Sequence, residues 1–362
     1  MGKGTILLCA GGTGGHLFPA EAVAHELNSR GFIVHLAADE RVERFAGNFP
    51  AEEIHQIKSA TFSSKNPIGL ARTAFNLFAG YLQSKRLIKA LDPVVVAGFG
   101  GYPTVPPLLA ASRMQIPTLV HEANAVLGRA NRFLGSRVSK VAIGFGNTNS
   151  ISNICVAVTG NPVRPAILDA AKMDYRQRNG IDPFKLLVFG GSQGAAYFSE
   201  VMPKACERLS AEHRNQLRIV QQARPEDKDG LITAYQAQGI AAEVETFFAD
   251  MAVRISDADL VISRAGASTV SELAVIGRPA ILVPYPHALD HDQATNAATV
   301  SAEGGAVIFK QSVLTAKVLA DELSSAIDEP KRLALAAKNA KKTGRPDAAK
   351  VLGDMLEALA SG

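Results

Sequence analysis

Within the stretch LLCAGGTGGHLFPA, residues 7–20, four of five consecutive residues are glycine and the next is His16. Glycines between an apolar run and a helix let the backbone approach a ligand closely. The helix start then offers unpaired N–H groups and a partial positive charge to an anion. The spacing is not G-x-G-x-x-G, because Leu17 stands where the last glycine belongs, and no G-K-[ST] follows to make a P-loop. Thr13, Gly14 and Gly15 form the turn, and His16 stands at the helix start. There the helix field lowers an imidazole pKa and keeps the ring neutral, as a general base requires. A tight strand–helix turn with a structural histidine would use the same residues without any ligand.

Two stretches of the second half repeat the design. FGGSQGA, residues 189–195, sets Ser192 among glycines, a group suited to a diphosphate or a ribose. SRAGASTVSELAVIGRPAILVP, residues 263–284, ends a strand at Ser263, turns, and runs as a helix over residues 269–276 to a Gly277 cap. The amides of Ala267, Ser268 and Thr269 would face a phosphate. The carboxylate of Glu272, one turn in, would accept both hydroxyls of a ribose. Thr269-x-x-Glu272 also fits a capping box, in which the two side chains only close the helix end.

FGGYPTVP, residues 99–106, and HEANAVLGRANRF, residues 121–133, follow strands of the first half. Their polar groups Tyr102, His121, Glu122, Asn124 and Asn131 would meet a polar second substrate or serve as ordinary loop and capping groups. Two D-x-D triplets occur, Asp257/Asp259 and Asp290/Asp292. D-x-D with a divalent ion is one way to neutralise a nucleotide diphosphate. The first triplet reads as an acidic turn before a strand. The second reads as sugar or phosphate hydrogen bonding, because two helix N-termini already neutralise a diphosphate; no metal and no cofactor are expected. Residues 66–92, NPIGLARTAFNLFAGYLQSKRLIKALD, form an amphipathic helix candidate. Leu70, Phe75, Phe78 and Tyr81 beside Arg72 and Lys85 suit an anionic membrane surface, or else a core-facing helix.

The elements that carry these groups alternate. TILLCA, FIVHLAA, PVVVAGFGG, PTLVHEA and KVAIGF read as strands with helices between them, starting with a helix over residues 19–29 that Gly31 ends. After VTGNPVRP the pattern restarts with KLLVFGG, and RIVQQA, AEVETFF, ADLVISRAG, PAILVPYP and GAVIFK follow. This predicts an α/β protein with two Rossmann-like, doubly wound parallel sheets facing a cleft. The expected division is residues 1–162, residues 163–345, and a last helix over 346–362 that packs back on the first domain.

A length of 362 residues also favours two domains. Cys9, Cys155 and Cys206 are far apart and form no C-x-x-C, which fits a reducing cytosol. The apolar run before the first glycines is too short for a signal peptide. The uncharged stretch of residues 93–112 is broken by glycines and prolines and cannot span a membrane. The net charge of +4 is uneven: residues 1–162 hold 15 Lys and Arg against 9 Asp and Glu, and residues 58–140 hold 11 against 2. A basic region of this kind points to nucleic acid, acidic lipid or a phosphorylated substrate.

In order, GGTGGHLFPA, GFGGYPTVPPLLAA, HEANAVLGRANRFL, GNPVRP, GGSQGA and SRAGASTVSELAVIGRPAILVPYP resemble the MurG family. The resemblance covers most of the chain and implies a GT-B fold, with the acceptor in the first domain and UDP-GlcNAc mainly in the second. It implies inverting transfer of GlcNAc from UDP-GlcNAc to the C4 hydroxyl of MurNAc-(pentapeptide)-pyrophosphoryl-undecaprenol, lipid I. It further implies a peripheral enzyme on the cytoplasmic face of the inner membrane, with an anionic lipid surface and cell-wall synthesis proteins as partners and no nucleic acid. Carried over by residue, Thr13, Gly14 and Gly15 contact donor and acceptor phosphate, and His16 and Glu272 are the catalytic candidates. Asn124 matches the asparagine of the family's HEQN, Arg164 the arginine of GNPVR, and Ser192 the serine near the diphosphate. Phe248 falls where uracil is gripped by backbone. Ala267, Ser268, Thr269, Val270, Ser271 and Glu272 match the donor loop, with Glu272 on the ribose, and Gln293 matches a sugar contact. Two departures stand out: Ala123 replaces the usual glutamine, and PHALDHDQATNA is longer than the family's stretch. Another nucleotide-sugar enzyme of this fold, a nicotinamide oxidoreductase holding a ribose on Asp39 or Glu40, and a nucleotide-sensing module remain the competing readings.

Overall fold

The computed structural model describes residues 3–44, 49–59, 66–146, 148, 156–180, 182–288 and 292–362. The chain forms two compact units, Met1–Arg164 with Arg345–Gly362, and Pro165–Gly344. The first division therefore falls two residues beyond the expected one, which leaves Arg164 in the first unit.

The first unit contains β1 (Thr5–Ala10), α1 (Gly14–Ser29), β2 (Ile33–Ala38), β3 (Glu53–Gln56), α2 (Pro67–Leu91), β4 (Val95–Gly98), α3 (Val105–Arg113), β5 (Thr118–Glu122), α4 (Arg129–Gly135), β6 (Lys140–Ile143) and β7 (Val156–Val158). The strands make one parallel sheet in the order β3-β2-β1-β4-β5-β6-β7. Residues of β1 alternate between two cores, as the pleat requires. Ile6, Leu8 and Ala10 pack on one face, and Leu7 and Cys9 on the other with Ile88 of α2 and Leu108 of α3.

The second unit contains α5 (Pro165–Ala170), β8 (Phe184–Phe189), α6 (Gly191–Cys206), α7 (Ala211–Gln216), β9 (Leu217–Gln222), α8 (Pro225–Ala237), β10 (Ala241–Glu245), α9 (Met251–Asp257), β11 (Leu260–Ser263), α10 (Ala267–Ile276), β12 (Ala280–Leu282), α11 (Asp292–Ser301), β13 (Ala306–Ile308), α12 (Ala316–Asp328) and α13 (Pro330–Thr343). Its parallel order is β10-β9-β8-β11-β12-β13. Phe184, Leu186 and Val188 of β8 pack with Phe198, Tyr235 and Leu323 from α6, α8 and α12. The last helix, α14 (Ala348–Ser361), belongs to the first unit, where Leu352 and Leu356 join the core beside α1.

Each sheet reverses its strand order once, between β1 and β4 and between β8 and β11. The loops after those strands flank a switch point, the usual ligand position in such sheets. All four glycine-rich loops singled out in the sequence are these: β1–α1, β4–α3, β8–α6 and β11–α10.

Three local expectations change. Helix α1 begins at Gly14 and not at residue 19, so Pro19 lies inside it. Helix α10 begins at Ala267 with Gly266 as its cap residue, which puts Thr269 in its third position. A capping box needs the threonine outside the helix, so that arrangement is not formed. Strands β3 and β7 carry no strong sequence signal because they are the sheet's two edges, with only partly buried side chains. The Gly277 cap is as expected, left-handed at φ 77° with its N–H on the Leu273 carbonyl.

Candidate functional site

In the first unit, Thr13 caps α1 in an extended conformation, yet its hydroxyl makes no bond to the helix backbone. Instead Thr13 Oγ1 lies 3.1 Å from His16 Nδ1. When the hydroxyl accepts from Nδ1–H, Nε2 carries the lone pair that a base needs. The ring sits against glycine backbone. A Cβ on Gly100 would stand 2.9 Å from His16 Cδ2 and 3.1 Å from Nε2, and one on Gly11 3.0 Å from Nδ1. Gly100 and Gly101 have φ of 94° and 82°, values that L side chains rarely adopt, and the Gly11 N–H donates to the Gly100 carbonyl at 3.0 Å. The β4–α3 loop thus buttresses the β1–α1 loop and leaves room for the imidazole. Burial lowers the His16 pKa to about 4, helped by the nearby Arg41 charge and opposed by Asp39. The ring is neutral at ordinary pH, and burial is the leading cause.

Asp39 is committed to Arg41. Its carboxylate accepts from the Arg41 backbone N–H at 3.1 Å and from Nε at 3.0 Å. That use does not favour a ribose contact at Asp39. A cavity of about 790 Å³ opens here, lined among others by Asp39, Arg41, Lys58, Arg72, Asn76 and Tyr102.

The other first-unit candidates divide. Tyr102 faces the cavity, whereas His121, Glu122 and Asn131 are 0%, 4% and 2% exposed. Glu122 accepts from the backbone N–H groups of Asn124 at 2.9 Å and Gly128 at 2.8 Å, and from Asn131 Nδ2 at 2.9 Å. Burial raises its pKa against the pull of those donors. His121 Nε2 lies 3.1 Å from the Gly160 carbonyl, which can only accept, so Nε2 bears the proton. Burial lowers its pKa to about 4. These three side chains hold the loop from within, which corrects the expectation that they meet a substrate directly. Asn124 Nδ2 also reaches Glu122, at 3.3 Å. The Arg164 guanidinium stacks on the Phe18 ring of α1, 4.0 Å from its centre.

In the second unit, Ala267, Ser268 and Thr269 are the first turn of α10, whose N–H groups have no partner within the helix. Ser268 Oγ is buried without a partner among the described residues. Arg264, 7% exposed, enters the same loop. It donates to the Val283 carbonyl and to Gln311 Oε1, and lies 5.1 to 5.4 Å from the ring centres of Phe198, Tyr197 and Tyr285. No carboxylate neutralises it in any ion pair among the described residues, and burial lowers its pKa. Sequence reasoning passed over Arg264. The available signal was a lone cation at the end of an apolar strand. Val270, Ser271 and Glu272 are buried in the next turn.

Gln293 Oε1 accepts from the N–H groups of Ala265 at 3.2 Å and Tyr285 at 3.0 Å, tying the β11 loop to the β12 loop. Asn296 Nδ2 donates to the Ala265 carbonyl at 3.2 Å. The Phe248 ring is buried under the Arg254 guanidinium, 4.2 Å away. Ser192 lies in the first turn of α6, and its side chain is outside the described residues, as are Asp290 and Cys155. Asp257 and Asp259 both bind Lys185 at the start of β8, through Nζ at 2.6 Å and the backbone N–H at 2.7 Å. They sit at the opposite end of the strands from the glycine loops.

On α2, Phe75, Phe78 and Leu82 are 70%, 61% and 39% exposed. They share an arc of about 140° with exposed Arg72, Lys85, Arg86 and Lys89. Thr73, Gly80, Ser84 and Ile88 are buried on the opposite side, and Tyr81 is half-buried. Tyr81 therefore belongs to the flank of the packed side and not to the exposed stripe. The Leu70 side chain is outside the described residues. Among the described residues no helix is long and apolar enough to cross a membrane.

Family models match both units: the glycosyltransferase family 28 N-terminal domain over residues 6–143 and the C-terminal domain over residues 185–352. A protein of Sinorhizobium medicae named UDP-N-acetylglucosamine–N-acetylmuramyl-(pentapeptide) pyrophosphoryl-undecaprenol N-acetylglucosamine transferase is 57% identical, with 100% of this chain and 97% of that protein covered. The Agrobacterium fabrum protein of the same name is 56% identical over 100% of this chain and 96% of its own length. The crystal structure of Acinetobacter baumannii MurG superposes with a TM-score of 0.77 at 31% identity, covering 98% of this chain and 99% of that one.

Proposed function

The chain belongs to glycosyltransferase family 28 and, within it, to the MurG family. On that premise we propose that it moves GlcNAc from UDP-GlcNAc to the C4 hydroxyl of MurNAc-(pentapeptide)-pyrophosphoryl-undecaprenol. The observation that carries this reading is 57% identity along the whole chain to a transferase of that name.

The acceptor oxygen bonds to the anomeric carbon as the bond from that carbon to the diphosphate oxygen breaks. UDP departs with the electron pair, and the configuration inverts. The acceptor hydroxyl proton goes to His16 Nε2, whose neutral ring and glycine-walled setting suit a general base. Charge grows on the departing diphosphate. The first-turn amides of α10, the Ser268 hydroxyl and the Arg264 cation are fixed donors for it, so no metal is required. Ser192 at the start of α6 adds to them. Glu272 takes the ribose hydroxyls, the Phe248 backbone takes uracil, and Gln293, while clamping two loops, leaves its amide N–H groups for the sugar. The exposed apolar and basic stripe of α2 supports peripheral attachment to an anionic inner leaflet, where a lipid-anchored acceptor resides.

Incubation of the protein with labelled UDP-GlcNAc and a short-chain lipid I analogue tests the reaction. Labelled disaccharide should form at the same rate with and without EDTA. No transfer would refute the activity, and loss of transfer with EDTA would refute the metal-free mechanism.

A further inference from the structure

We propose that Arg41, Lys58 and Arg72 form a subsite for the diphosphate of the acceptor, within the cavity of about 790 Å³ beside the first glycine loop. The assignment rests on the acceptor named above and goes on to place one of its groups. Three cations from three separate segments line one cavity, beside the carboxylates of Asp39 and Glu40: Arg41 after β2, Lys58 after β3, and Arg72 on α2. Arg41 is oriented by Asp39. Lys58 and Arg72 have no ion-pair partner among the described residues, so their charge is available to an anion.

The position of Lys58 is built in advance. Its backbone N–H donates to Gln83 Oε1 of α2 at 3.1 Å, and Gln83 Nε2 donates back to the Gln56 carbonyl at 2.6 Å. The Lys58 carbonyl rests against Gly80 so closely that a Cβ there would collide with it. Glycine at position 80 therefore lets α2 dock on the chain that presents Lys58.

The order of groups along the fold matches the order along the substrate. His16 neighbours Arg41 electrostatically, and Tyr102, from the loop that buttresses His16, lines the cavity with Arg41. Arg72 closes the cavity and also stands on the exposed stripe with Phe75 and Phe78. The acceptor presents a sugar hydroxyl, then a diphosphate, then a lipid chain. A diphosphate between His16 and the α2 stripe meets the cations where the substrate requires them, and charge-assisted bonds to phosphate are among the stronger ones in water.

The test uses the full chain and a soluble, short-prenyl lipid I analogue without vesicles, so that membrane attachment does not enter. Lys58→Ala and Arg72→Ala should each raise the acceptor KM about 10- to 100-fold and leave the UDP-GlcNAc KM unchanged. Lys58→Arg should keep most of the affinity, and circular dichroism checks that each variant folds. In a second arm, calorimetry follows inorganic pyrophosphate binding with UDP present to fill the donor site. Wild type should bind it, and Lys58→Ala should bind it at least about ten-fold more weakly. An unchanged acceptor KM in both alanine variants overturns the subsite, and so does equal pyrophosphate binding by wild type and Lys58→Ala. If wild type transfers nothing to lipid I, the activity is wrong, and the pyrophosphate arm alone then decides the subsite.

Discussion

At His16, burial and the Arg41 charge act in the same direction, and Asp39 only partly offsets them. The neutral ring that the proposed base role needs is present above its pKa and is lost as pH falls through it. With the pKa lowered from 6.5 to about 4, the acid limb of kcat/KM should fall near pH 4. A limb near 6.5 that persists in wild type would show that another group titrates. His16→Ala should reduce kcat about 100- to 10,000-fold, measured with the lipid I analogue, and near-normal turnover would remove His16 from the base role. The histidine itself was legible as chemistry from its neighbours Thr13, Gly14 and Gly15. His121 and Glu122 looked equally chemical in the sequence and are internal supports. Residue type and spacing cannot separate these cases, because the difference lies in which atoms surround each group.

At the scale of elements, helix α2 divides into a packed side at Thr73, Gly80, Ser84 and Ile88 and an exposed side at Phe75, Phe78 and Leu82. Its amphipathicity was readable from the sequence, but which side faces outward was not. Both sides hold apolar residues, and only the docking of α2 on the Lys58 segment and on α3 settles the matter. Replacing both Phe75 and Phe78 by Ser should weaken sedimentation with anionic vesicles markedly, while turnover on a soluble acceptor stays near wild type. Undiminished vesicle binding would locate membrane attachment elsewhere. Helix α10 teaches a related lesson. Thr269-x-x-Glu272 satisfies the capping-box pattern, yet Gly266 is the cap residue and Glu272 is buried in the second turn. A four-residue pattern does not know where its helix begins.

Across the whole molecule, each unit has its own parallel sheet and its own buried cores. The proposed donor groups at Arg264, Ser268, Glu272 and Gln293 lie in Pro165–Gly344, and His16 and the cationic cavity lie in Met1–Arg164. UDP at about 100 times its Kd should stabilise the state that binds it by about 2.7 kcal/mol. Hydrogen exchange should then slow chiefly around β11, α10 and α11, and equal slowing around β1 and α1 would contradict this division of labour. The alternation of apolar runs and glycine turns determined, by itself, two parallel sheets with loops at their switch points. Burial and a right-handed crossover leave few other ways to pack such a pattern. The sequence also sufficed to put His16 near the start of α1, a glycine turn ahead of α10 and a basic character in the first half. Only the tertiary structure decided that Gly100 and Gly101 wall in the His16 ring, that Gln293 clamps two loops, and that Arg41, Lys58 and Arg72 meet in one cavity. Those contacts join residues distant along the chain, and their energies come from desolvation and proximity, quantities that exist only once the strands are side by side.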